Sequence, residues 1–86
     1  MMQLPVVHLN GTSHRELTEG YEAAYVAAKD AMSALERIEF NARDYYPAGP
    51  DAWVKAREER VEIAQKLRDV EEYLEAHLSH LATLKR

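Results

Sequence analysis

Apolar residues at Leu17, Tyr21, Ala24, Ala28, Ala31, Leu35 and Ile38 step by four and three along the chain. That spacing draws one stripe down an α-helix, and Tyr25 and Met32 widen it. Just upstream, Ser13-His14-Arg15-Glu16 has the form of a capping box, in which Ser13 accepts from the Glu16 amide and Glu16 reaches back toward the cap. A first helix is predicted over about residues 13–40. A second stripe runs through Trp53, Ala56, Arg60, Ile63, Leu67, Val70, Leu74, His77, Leu81 and Leu84, again by threes and fours. It predicts a second helix over about residues 50–84. Gly49-Pro50-Asp51 suits its start, with proline at the first position and an acid facing the positive end of the dipole.

Between the stripes, residues 41–49 break the pattern: Asn41-Ala42-Arg43-Asp44-Tyr45-Tyr46-Pro47-Ala48-Gly49, followed by Pro50, contains two prolines and a glycine. Residues 1–12 read as an extended arm. Leu4 is pushed out of the α region by Pro5, and Asn10-Gly11 is a turn signal. At 1.5 Å per residue the helices are roughly 40 and 50 Å long. A short link between rods of that length gives an antiparallel pair. The expected fold is therefore all-α: one domain, residues 1–86, an antiparallel two-helix hairpin with an extended N-terminal arm.

A lone hairpin covers only half of each stripe. The first helix also carries alanine at 23, 24, 27, 28, 31 and 34, small side chains that let neighbouring backbones approach on more than one side. Assembly into a helical homo-oligomer, a dimer or larger, is expected.

Composition narrows the function. Among 86 residues, 47% are hydrophobic and 30% charged, which is ordinary for a folded chain and unlike disorder. There is no cysteine, which removes disulfides, thiolate metal sites and a cysteine nucleophile. No stretch approaches the roughly 20 apolar residues that span a bilayer. The start lacks the basic and apolar regions of a secretory signal, so a cytosolic setting is expected. The net charge is −4, with no basic cluster of the kind that neutralises a nucleic-acid polymer.

His77 and His80 lie on adjacent turns but have no evident third metal ligand. Their plainer roles are a hydrogen-bonded seam histidine and a cation at a helix C-terminus. The glutamates of the second helix read as a solvated face, with Glu62 and Lys66, and Arg68 and Glu72, at i, i+4 spacing. No Gly-x-Ser-x-Gly, phosphate-binding glycine loop or dinucleotide-binding motif is present. No catalytic residue, metal or cofactor is implied, and the reading is of a non-enzyme.

Two polar patches remain. His8, Asn10 and Thr12 lead into the first helix, whose free amides form an anion site. Arg43, Tyr45 and Tyr46 sit in the loop beside Arg37, Lys55, Arg57 and Arg60, where tyrosine can stack on a base and arginine can grip phosphate. Each patch also has a structural alternative: a capped helix start, and a loop whose tyrosines cover the bundle end. In a hairpin the arm lies at the open end, beside His77, His80, Lys85 and Arg86. The loop lies at the closed end. An antiparallel assembly would bring the arm of one copy to the loop of another.

His8-Leu9-Asn10-Gly11-Thr12-Ser13, Asn41-Ala42-Arg43-Asp44-Tyr45-Tyr46-Pro47 and the helices behind them resemble a group of small phage proteins of this length. That group is similar in turn to the helical-hairpin domain of phage anti-CBASS and anti-Thoeris sponge proteins, through a long helix, a loop with an arginine before the second helix (here Arg43) and a second amphipathic helix. The resemblance implies an oligomer, often a hexamer, in the host cytoplasm. It would sequester a cyclic oligonucleotide or related nucleotide immune signal between subunits without cleaving it. The sponges' stacking tyrosine and phosphate-binding lysine match no particular position here, so His8, Asn10, Thr12, Arg43, Tyr45, Tyr46 and Arg57 are candidates from residue chemistry alone. Two rivals stand beside this reading: a protein–protein inhibitor or adaptor of anti-CRISPR or host-takeover type, and a phage structural or assembly component.

Overall fold

A computed structural model describes residues 2–84; Met1 and the basic pair Lys85 and Arg86, expected beside the arm, lie outside them. Two helices make the fold, α1 (His14–Glu36) and α2 (Ala52–Thr83), joined through two single 3-10 turns, Ala42–Asp44 and Tyr46–Ala48. Among the described residues there is no strand.

The helices are antiparallel, as the order of their ties shows. His14 meets Leu81, Tyr25 meets Glu75, Lys29 meets Glu71, and Leu35 meets Arg60. The body measures 60 × 25 × 18 Å, so it is little more than one helix thick. Its core is correspondingly thin. Among the described residues the buried apolar side chains are Ala28, Ala56, Leu74 and Leu81. Leu17, Tyr21, Tyr25, Met32, Leu35, Trp53, Leu67 and Leu78 are half-buried around them. The outer positions of both predicted stripes stay open: Ala24, Ala31, Ile63, Val70 and Leu84 are exposed.

α1 begins where the capping box predicts. The Ser13 hydroxyl accepts from the Glu16 amide at 3.1 Å and donates to the Glu16 carboxylate at 2.9 Å. It ends four residues before its expected stop. The Arg60 side chain, projecting from α2, donates to the Leu35 carbonyl, and Arg37 closes the helix with its amide on Ser33 and Ala34. Phe40 then leaves the helical path to pack on Trp53, ring centroids 4.8 Å apart. Ile38, placed on the first stripe by periodicity, ends outside the helix and exposed. α2 starts two residues later than expected: Pro50 lies in the turn before Asp51, the N-terminal flanking residue, which makes no side-chain cap. Gly49 at φ 118° supplies the reversal, in a region that any Cβ would strain.

Candidate functional site

The closed end is built on an aromatic cluster. Phe40, Tyr45 and Trp53 form a triangle with ring centroids 4.8 to 5.7 Å apart, within the range where tilted aromatic pairs attract. Two arginines from α2 cover it: Arg60 lies 4.7 Å over Phe40 and Arg57 lies 5.6 Å over Trp53, cation–π contacts with the ring faces. The fork of Arg60 is committed to the Leu35 carbonyl. Arg57 and Arg43 remain exposed.

The two tyrosines divide the roles that the sequence left open between them. Tyr45 is half-buried in the triangle and covers the bundle end. Tyr46 starts the second 3-10 turn and is 65% exposed, with its ring available for stacking. Arg43, Tyr46 and Arg57 are therefore accessible, as are Arg37 and Lys55. A crevice at this end, lined by Leu35, Phe40, Tyr45, Glu59, Arg60 and Ile63, holds about 240 Å³ and is touched by none of Arg43, Tyr46 and Arg57. A typical ligand pocket of roughly 300–1,000 Å³ is larger.

The open end is held by imidazoles. The Nε2–H of His14 donates to the Leu81 carbonyl at 2.6 Å, and that of His80 donates to the Pro5 carbonyl at 2.8 Å. The arm is thereby tied beside α2, where Val6, Val7, His80 and Leu84 line a groove of about 350 Å³. His77 is 2% exposed, donates to the Tyr73 carbonyl at 2.8 Å, and sits between the rings of Tyr21 and Tyr73 at 4.7 and 4.2 Å. Burial, and after it the neighbouring Tyr73 hydroxyl, pushes the Tyr21 phenol above its ordinary 10.0. His77 and His80 thus act on different partners. Among the described residues there is no group of three His, Asp or Glu able to hold a metal.

His8, Asn10 and Thr12 are all exposed at this end. The Gly11 amide donates to the His8 carbonyl at 3.1 Å, closing a turn over Leu9 and Asn10. The His8 ring folds back over Gly11, close enough that an added Cβ would lie 2.7 Å from Nε2. The anion site expected at the start of α1 is weakened, because the Glu16 carboxylate, bonded to Ser13, already stands there.

The two patches do not meet within one chain. The 23 residues of α1 separate them by about 35 Å. Phe40, the packing of Trp53 (a stripe residue) against it and Tyr45, and the capping role of Arg60 were not predicted from the sequence. The signal available was a cation on an apolar stripe and two large aromatics flanking one loop. The arm lies beside His80, as the hairpin topology predicts; the bond from its imidazole to the Pro5 carbonyl carried no local signal. No helix among the described residues is long and apolar enough to cross a membrane. No family model, curated protein or solved structure matches the chain.

Proposed function

We propose that this chain is a non-enzymatic capture protein of phage immune evasion, acting in the host cytoplasm. It would bind a cyclic oligonucleotide or related nucleotide signal in crevices between its own copies. The observation that carries the reading is the closed end, where Tyr46, Arg43 and Arg57 are all exposed, Arg57 lying over the Trp53 ring. A ring for a base and two forks for phosphate are the complement of a nucleotide. The crevice at that end is too small to enclose one. The arm turn of a second copy, with His8, Asn10 and Thr12 exposed on it, would supply the missing wall and polar contacts to base or sugar. Such a site binds without cleaving, since it holds no activated nucleophile or acid–base pair.

Titration calorimetry against cyclic di- and trinucleotides and adenosine-diphosphate-ribose isomers tests the reading. Micromolar or tighter binding to one of them, weakened by Tyr46→Ala and by Arg43→Ala, is expected. No heat from any of them well above micromolar concentration removes the proposal.

One observation favours a second reading, an adaptor that binds protein. Val54 and Val61 lie on the side of α2 turned away from α1, 45% and 65% exposed, and line a shallow groove with Arg57, Glu58 and Glu62. Pull-down from host lysate separates the two, because an adaptor retains a protein and a sponge retains a small molecule.

A further inference from the structure

The two long sides of the hairpin differ in kind. On one, side chains tie the helices together: the Tyr25 hydroxyl donates to Glu75 at 3.0 Å, and Lys29 meets Glu71 at 3.3 Å. On the other, the only ties among the described residues are aromatic, with the His77 ring stacked between Tyr21 of α1 and Tyr73 of α2. A rotation of about 100° per residue places Gly20, Ala23, Ala24, Ala27, Ala31 and Ala34 on one arc of α1, all exposed. Between Gly20 and Ala34 no charged residue falls in that arc. On the adjoining side of α2, Ile63, Val70 and Tyr73 are 45–46% exposed. Gly20 and Ala24 share a groove with Leu17, Tyr21 and Leu74, bounded by Glu16, which joins the two strips; on α2 the strip is interrupted by Lys66.

We propose that this side is where a second copy of the chain packs, in a two-fold dimer that turns two thin hairpins into a four-helix bundle. The area identifies the occupant. The chain exposes 6784 Å², whereas a compact chain of 9.9 kDa exposes about 5,200 Å². The excess, about 1,600 Å² per chain, is more than the roughly 800 Å² that each partner loses in an ordinary stable complex, and matches an obligate homodimer. A short peptide or a small ligand would cover too little. The surface chemistry agrees. Small side chains permit interaxial distances near 8 Å, and the α1 arc from Gly20 to Ala34 brings no charge of its own into the contact. The polar side, with its ties already made, stays in water. The inference requires self-association but no ligand.

The absence of cysteine makes cross-linking a clean test. Ala23→Cys, Ala27→Cys and Ala31→Cys are compared with Glu22→Cys, which lies toward the tied side. A disulfide forms only when the two Cα atoms come within about 4.4–6.8 Å, so the position nearest the two-fold axis should oxidise to a covalent dimer at least about tenfold faster than Glu22→Cys. Ala27→Glu, which buries a charge in the interface, should drop the sedimenting mass toward 9.9 kDa. Should that variant unfold, the cross-linking rates decide alone. If none of the three outpaces Glu22→Cys, or if a folded Ala27→Glu keeps the wild-type mass, the assignment is overturned. Fast cross-linking in a protein that binds no nucleotide leaves this side assigned and removes only the ligand reading. Nucleotide binding without cross-linking here does the reverse.

Discussion

The two ends of the hairpin are closed by different chemistry. At the closed end, Phe40, Tyr45 and Trp53 pack on one another under Arg57 and Arg60. Contacts there are numerous and share their burden, so the loop is fixed and its outer groups, Arg43 and Tyr46, are displayed from a firm base. At the open end, single imidazole bonds hold the chain: His14 on Leu81 and His80 on Pro5. Beyond that tie the arm turn carries Leu9 at 98% exposure, an apolar side chain that finds no cover in its own chain. The aromatic triangle packs within one copy, whereas Leu9 on the arm turn does not.

That contrast predicts unequal responses to substitution. Trp53→Ala removes the centre of the triangle and should have the largest effect, about 2–4 kcal/mol for a half-buried large aromatic, read from urea or thermal unfolding. A loss under about 1 kcal/mol would mean that the triangle is not what fixes this end. Arg60→Ala frees the Leu35 carbonyl and uncovers Phe40, at about 1–3 kcal/mol. Arg60→Lys should restore only part of this, because an ammonium lacks the planar fork. Full rescue by lysine would reduce Arg60 to a charge.

At the open end, His80→Ala should change stability by only about 0.5–1.5 kcal/mol, while amide exchange and proteolysis rise over residues 3–12 alone. A global loss would make the arm part of the core and erase the difference between the ends. The smallest effect belongs to the middle, and shows only in alkali. The hydrogen bond and charge of Glu71, and then Tyr25, raise Lys29 above its ordinary 10.5, and Tyr21 is raised above 10.0. A raised value means the folded chain holds its proton more tightly than the unfolded one. Their contribution is therefore complete below about pH 10 and is lost as the pH climbs through the folded values. Lys29→Met should flatten the part of that decline above pH 10.5. An unchanged profile would assign it all to Tyr21.

What the sequence made legible was whatever neighbouring residues decide. Ser13 and Glu16 announced the start of α1 because both partners lie in one turn. The stripes announced two antiparallel helices because burial repeats with the helical period. The end of α1 was hidden, since its stop is an arginine 25 residues further on and an aromatic that packs on the other helix. Neither the arginine nor the phenylalanine position signals locally a contact made that far away. The division between Tyr45 and Tyr46 was hidden for the same reason: adjacent in sequence, they are separated only by which way the 3-10 turns face them. The hairpin topology placed the arm beside His80, but which carbonyl its imidazole takes, Pro5, lies 75 residues away and beyond any spacing rule.

A shared site requires a second copy, because the platform and the arm turn stand at opposite ends of a body 60 Å long. Sedimentation equilibrium of the wild-type chain at micromolar dilution tests this most directly. A folded, helical species at an integer multiple of 9.9 kDa, two or greater, is the predicted result. A folded species at 9.9 kDa itself would contradict it.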